Sequence, residues 1–282
     1  MAQFTLRHAT TYGFSSPVTL EPHKLYLRPR GDHHIKVNAA RLLLSPPADV
    51  VWRNDLYGNS VAIARFAGET QKLEIVSELE VETFPRSEAQ RRMLLEIGEM
   101  FYSALESRVL FPFTDIDAKT RTATLAWMGP TPNGPHKTPY ERLLGCAARV
   151  RYEFDYRPRY EPGLQTPQET LNLRSGTCRD FAELMIASAR SLGFAGRFVS
   201  GYVFTPNAAP GSSSPHAWAE VYIPAVGWIE LDATNGLVDD GDLISVASAV
   251  SGTELTPISG AYTGGNVLAT MIVAVDVWKS GS

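Results

Sequence analysis

The chain has 282 residues with 44% apolar and 20% charged content, the profile of an ordinary globular protein with a substantial core. Its formal net charge of −4 gives no electrostatic attraction to nucleic acid or to an anionic membrane. Two cysteines are too few for a disulfide framework or for the usual zinc spacings.

The N-terminus, MAQFTLRHATTYGFSS, lacks the apolar stretch of a secretory signal, so the expected compartment is the cytoplasm. The longest late apolar run, VLATMIVAV at 267–275, is too short for a membrane span.

The first 84 residues read as strands. In LEIVSELEV, Leu73, Ile75, Leu79 and Val81 alternate with Glu74, Glu78 and Glu80, the pattern of a half-buried strand. FTLRH, KLYLRPR, HIKVNAARLLL and SVAIARF are similar runs, separated by the turn chemistry of SSP, RPRGD, SPPAD and YGN. An antiparallel β-sandwich over 1–84 follows.

From residue 85 the period becomes helical. Ser87 and Gln90 have capping-box spacing, and Met93, Leu94, Ile97, Phe101 and Leu105 recur at helical intervals. Thr138-Pro139-Tyr140-Glu141 and Thr166-Pro167-Gln168-Glu169 each set threonine at N-cap, proline at N1 and glutamate at N3. The second helix is expected to stop at Gly176. A helical connection thus spans 85–137, and an α+β unit spans 138–282.

That unit holds the chemically informative residues. Phe181, Leu184, Met185, Ala189 and Leu192 mark one face of a helix that Gly193 ends, with Cys178 in its first turn. Unpaired N–H groups and the positive end of the helix dipole favour a thiolate there, and the thiolate is the nucleophilic form. The same N–H groups can hold an oxyanion. Gly176 is expected to supply a tight turn. Cys146, at an apolar helical position in ERLLGCAARV, reads as a small buried hydrophobe.

Residues 216–234, HAWAEVYIPAVGWIELDAT, read as a hairpin turning near 224–227. One face carries Ala217, Ala219, Val221, Ile223, Ile229, Leu231 and Ala233; the other carries His216, Trp218, Glu220, Tyr222, Trp228, Glu230, Asp232 and Thr234. His216 then stands opposite Asp232 or diagonal to it across one pleat. An aspartate on an imidazole fixes its tautomer and stabilises the imidazolium, which completes a Cys178–His216–Asp232 set.

The remaining features read as structural. Asp239, Asp240 and Asp242 form an acidic loop without the calcium-loop pattern, expected to be solvated. His33–His34 has no metal-site spacing. Glu220 is placed to pair with Arg197 or Arg179. Tyr152, Phe154, Tyr156 and Tyr160 either wall a substrate groove or pack an extended segment. Tyr160 and Trp218 are the candidate substrate contacts.

SGTCRDFAELMIASARSLGFAGRFVSGY, HAWAEVYIPAVGWIELDATNG and the terminal strand resemble the bacterial transglutaminase-like superfamily. TYGFSSPVTLEPHKLYLRPR with LYGNSVAIARF resembles the β domain that precedes the core in many of its members. The resemblance implies a papain-like core in which a nucleophile helix packs on an antiparallel sheet, with Cys178 as nucleophile, His216 as base and Asp232 as its orienter. Ala233 stands where the family has proline, a departure that touches the turn and not the triad. No side-chain oxyanion donor is assigned; the backbone N–H of Cys178 is the one contributor.

The implied activity is acyl transfer through a thioester on a protein, peptide or small amide substrate, with no cofactor, metal, nucleic acid or membrane partner. Hydrolysis by a cysteine peptidase or amidase is the leading expectation. Glutamine cross-linking to an amine and a non-catalytic scaffold are the alternatives.

Overall fold

The computed structural model describes residues 1–98, 100–129, 138–159, 163–211 and 213–280. Six strands open the chain: β1 (Ala2–Leu20), β2 (His23–Leu25), β3 (Ile35–Ser45), β4 (Ala48–Asn54), β5 (Ser60–Phe66) and β6 (Glu69–Thr83). Helices α1 (Glu88–Leu95), α2 (Ala104–Thr114), α3 (Ala118–Met128) and α4 (Pro139–Glu153) follow. Then come β7 (Asp155–Tyr156), α5 (Pro167–Leu173), β8 (Ser175–Gly176) and α6 (Cys178–Ser191). The chain closes with β9 (Ala195–Val203), β10 (His216–Ile223), β11 (Gly227–Leu231), β12 (Leu243–Ala249), β13 (Ile258–Ser259), β14 (Tyr262–Thr263) and β15 (Ala269–Ser280).

The architecture is α+β, with an N-terminal antiparallel sandwich. One sheet runs β14–β1–β6–β3 with β15 also on β1, and the other runs β13–β2–β5–β4. They enclose Val18, Leu20, Leu25, Leu27, Ala62, Ala64, Leu73 and Ile75. The sandwich is not confined to residues 1–84. β15 pairs with β1 from Gln3↔Ser280 to Phe14↔Ala269, and β13 and β14 pair with β2 and β1. The terminal strand, expected in the second unit, therefore completes the first. Its alternation records which face is apolar but not which edge it joins.

The helical stretch also differs from expectation. Both Ser87 and Ser103 build capping boxes, so two helices stand where one periodic run was read. Met93, Phe101 and Leu105 are exposed. α5 ends at Leu173, because Arg174 adopts the left-handed conformation (φ 50°) and closes the helix before Gly176.

A third sheet, β11–β10–β9–β12, packs one face on α6. Phe181, Leu184, Met185 and Ala189 meet Ala217, Ala219, Val221, Ile229 and Leu231 in one buried cluster. Full burial of each large apolar side chain there contributes about 1.5–3 kcal/mol. Phe4, Leu6, Leu79 and Val81 of the sandwich belong to the same cluster, so the two units share a core. Across their seam, Asn59 exchanges hydrogen bonds with the Ser248 backbone at 2.8 and 2.9 Å.

Candidate active site

Cys178 is the first residue of α6, where the chain enters the helix from β8 through Thr177. The entry is held by Asp180, which is 1% exposed. One carboxylate oxygen accepts from the Thr177 N–H and hydroxyl, both at 2.9 Å. The other accepts from Arg159 and from the Gln165 N–H, both at 2.8 Å. A carboxylate this close to a helix N-terminus also complements the dipole. Gly176 serves this entry by its size: a Cβ there would lie 2.9 Å from the Asp180 Cβ. Its φ is not in the left-handed region, so the expected turn freedom is not what it provides.

β10 and β11 pair from Ala219↔Leu231 to Ile223↔Gly227, around a turn at 224–226 where Ala225 has φ 64°. Extending that register sets Asp232 opposite Trp218 and diagonal to His216. His216 Nε2 lies 2.8 Å from Asp232 Oδ2, and both side chains are buried. Asp232 also accepts from the Thr234 N–H at 2.9 Å and from Asn235 Nδ2 at 2.8 Å. With Asp232 ionised, Nε2 carries the proton and donates to it. The 3.2 Å approach of Asn235 Nδ2 to the same nitrogen is then a contact between two donors. That leaves Nδ1 for Cys178, whose thiol lies within hydrogen-bonding reach of the ring.

The electrostatics favour charge on this pair. Burial opposes the imidazolium, but the hydrogen bonds and charges of Asp232 and Cys178 outweigh it and raise the His216 pKa to about 10. Burial likewise opposes the Asp232 carboxylate, and the His216, Asn235 and Thr234 donors bring its pKa below the ordinary value. Tyr156 reaches the thiol from β7. Burial first, then the charge and hydrogen bond of Cys178, push its hydroxyl up to about 12, while the Cys178 N–H donates to the hydroxyl oxygen. Asn235 and Tyr156 are the neighbours that sequence reasoning did not assign. Asn235 lies three residues past Asp232, and Tyr156 stood unseparated among four aromatics.

Cys178 and His216 line a cavity of about 320 Å³. Leu164, Phe198, Leu255 and Pro257 give it apolar walls, and Arg159, Thr177, Arg179 and Ser200 are its polar members beside the cysteine and the histidine. Leu255 and Pro257 belong to the segment that leads back to the sandwich, where the Pro257 carbonyl accepts from the Tyr26 N–H at 2.8 Å. Arg179, on the turn of α6 that carries Cys178, holds the same segment through the Gly252 carbonyl at 2.9 Å.

Trp218 does not line this cavity. It is 1% exposed and packs with Val199 and Leu243, its ring 6.0 Å from that of His216, so it supports the histidine from behind. Tyr160, the other expected substrate contact, lies outside the described residues. Glu220 pairs with Arg197 at 2.5 Å, one of the two expected partners. The acidic loop is not solvated as expected: Asp239 is buried against Arg86, and Asp242 pairs with Lys279 at 2.6 Å.

Comparison with known proteins adds the family context. A model of the transglutaminase-like superfamily matches residues 132–233, and one of the bacterial transglutaminase-like N-terminal region matches residues 4–82. The uncharacterized protein Rv2569c of Mycobacterium tuberculosis is 28% identical over 290 residues, covering 98% of this chain and 92% of that one. The uncharacterized protein ML0607 of Mycobacterium leprae is 26% identical over 262 residues, covering 91% and 92%. Among solved structures, a candidate cysteine protease from Cytophaga hutchinsonii superposes with a TM-score of 0.75 at 21% identity, covering 100% of this chain and 91% of that one.

Proposed function

The chain belongs to the transglutaminase-like superfamily, and from that premise we propose that it is a thiol acyl-transfer enzyme acting hydrolytically on amide or peptide bonds. Cys178 attacks the carbonyl carbon, and the developing oxyanion is held by the Cys178 N–H and the Tyr156 hydroxyl. His216 gives its proton to the leaving amine, which departs as the C–N bond breaks and leaves a thioester on Cys178. Water then attacks the thioester, His216 takes its proton, and the carboxylic acid leaves as the thiol is restored. Asp232 keeps the imidazole oriented and stabilises its charged form throughout.

The observation that carries this reading is the buried 2.8 Å His216–Asp232 bond beside a cysteine that opens a helix. The apolar cavity walls suit an apolar or amide-bearing chain on the acyl side. An amine in place of water would give cross-linking, so the assay must offer both acceptors.

The test is iodoacetamide alkylation across pH, read by mass spectrometry. Cys146 serves as internal control, since burial raises its pKa to about 11. Cys178 is expected to alkylate at pH 6–7 and to lose on the order of tenfold in rate in His216→Ala. A Cys178 that is inert, or equally reactive in both proteins, overturns the reading. Peptide amides with and without an added alkylamine then separate hydrolysis from transfer.

A further inference from the structure

The cavity beside Cys178 is unevenly charged. Its ionisable lining is Arg159, Arg179, His216 and Cys178, and among the described residues no carboxylate lines it. Two of its basic groups have anions of their own: Arg159 pairs with Asp180 and His216 with Asp232, both at 2.8 Å. Arg179 has none among the described residues. Its Nη2 donates to the Gly252 carbonyl at 2.9 Å and reaches that of Leu255 at 3.4 Å. Glu183, one turn further along α6, accepts instead from the Ser251 hydroxyl at 2.9 Å and the Gly252 N–H at 2.6 Å. Glu254 accepts from the Tyr57 hydroxyl, also at 2.6 Å.

The two carbonyls fix the guanidinium by one nitrogen and leave Nε and Nη1 with no acceptor among the described residues, both open to solvent. A second polar group of the cavity is in the same state. Ser200 is 6% exposed, yet its hydroxyl makes no hydrogen bond among the described residues. It stands on β9 opposite Ala217, one pair along from Gly201 and His216. Phe198, two residues back on the same face of β9, lies against Gly252, where an added Cβ would come within 2.6 Å of the ring. Arg179, Gly252, Phe198 and Ser200 thus follow one another along a single wall.

Given Cys178 as the acyl-accepting nucleophile, the reading on which this rests, we propose that the acyl group carries a carboxylate a few bonds from the scissile carbonyl. The open N–H groups of Arg179 bind that carboxylate, and the Ser200 hydroxyl is a second donor along the same wall. Cys178 and Arg179 are consecutive, with α-carbons about 3.8 Å apart, so nucleophile and cation meet one short chain. Leu164 and Leu255 cover its methylene groups. At about 320 Å³ the cavity is at the small end of ligand pockets, which suits a single acidic residue. A glutamyl residue fits in two ways, with the free carboxylate on its side chain or, when joined through the side chain, at its α-carbon.

The test is binding to the Cys178→Ala protein, followed by ligand-detected NMR, which reads the carboxylate site without turnover. N-acetylisoglutamine has a side-chain carboxylate and an α-carboxamide, N-acetylglutamine has the reverse, and N-acetylglutamine amide is uncharged. At least one acid should bind saturably and about tenfold or more tighter than the diamide, and which acid does so separates the two arrangements. Raising salt from about 50 to about 500 mM should weaken the acid a few fold and leave the diamide unchanged. With Arg179→Gln added, acids and diamide should bind alike; an arginine that only held the 252–255 segment would weaken all three equally. Equal binding of acids and diamide, no saturable binding, or a preference that survives Arg179→Gln overturns the proposal. If Arg179→Gln does not fold, the ratio of acid to diamide binding and its salt dependence decide. A Cys178 that alkylates as an activated thiol in a protein without acid preference overturns this proposal alone, whereas an inert thiol overturns the acyl-transfer reading beneath it.

Discussion

His8 and His216 are both buried, and they respond to burial in opposite ways. His8 is held by the hydroxyls of Tyr202 and Thr10 at 2.8 and 2.9 Å, both neutral partners, and desolvation lowers its pKa to about 4. His216 faces the same penalty but has the Asp232 carboxylate and the Cys178 thiol as partners, and its pKa rises to about 10. The charge of a buried imidazole is therefore decided by its partners rather than by its depth. Ring resonances of labelled histidine should report His8 neutral and His216 charged at pH 7–8. Asp232→Asn should return His216 to or below its ordinary value and lower kcat by roughly 10²–10⁴-fold. The stability linkage has a definite sign. A folded pKa above the unfolded 6.5 contributes stability that is full below pH 6.5 and lost as pH rises through about 10. The difference in melting temperature between wild type and Asp232→Asn should accordingly shrink from pH 7 to pH 10. A constant difference would mean that Asp232 acts on packing alone.

At the scale of elements, the start of α6 concentrates constraints that local sequence chemistry makes visible and others that it hides. The helix starts at Ser87, Thr138 and Thr166 were readable because a capping box closes within four residues. The apolar and polar faces of the 216–234 hairpin were readable for the same reason, since alternation within a strand is local. Hidden were the features that depend on distant chain: Arg159 reaching Asp180, Trp218 buried behind His216, and Gly176 lying against Asp180. The periodic run from Met93 to Leu105 misled because its spacing persists across a break between α1 and α2. Gly176 gives this scale its prediction. In Gly176→Ala the new Cβ meets the Asp180 Cβ, an atom fixed to the helix backbone, so Asp180 must move and its four hydrogen bonds loosen. A loss of about 1–3 kcal/mol is expected in urea unfolding, with slower Cys178 alkylation. Wild-type stability in this variant would show that the entry has slack.

The whole molecule is one body whose first and last strands are neighbours. β1 is lined along most of its length by β6 on one edge and β15 on the other, with Leu6 standing between Leu79 and Val277. Phe4 and Leu6 are buried in the cluster that also contains Phe181 and Leu184, so β1 is held by both the sandwich and the core. A fragment ending at residue 84 would keep β1 to β6 but would bare the edge of β1 that β15 occupies and the apolar face that the core covers. Unpaired edges and exposed apolar faces drive self-association. We therefore expect residues 1–84 alone to give no cooperative thermal transition and to sediment as aggregates. Appending residues 255–282 through a short glycine-serine linker restores β13, β14 and β15, and with them the edge but not the face. That version should gain strand signal in circular dichroism while remaining less stable than the full chain. The full chain shortened at residue 266 should lose melting temperature and, because Ser213, three residues before His216, bridges Val275 of β15, loosen the approach to His216 as well. Cooperative, monomeric folding of residues 1–84 would show that the sandwich is an independent domain and that β15 is an accessory to it.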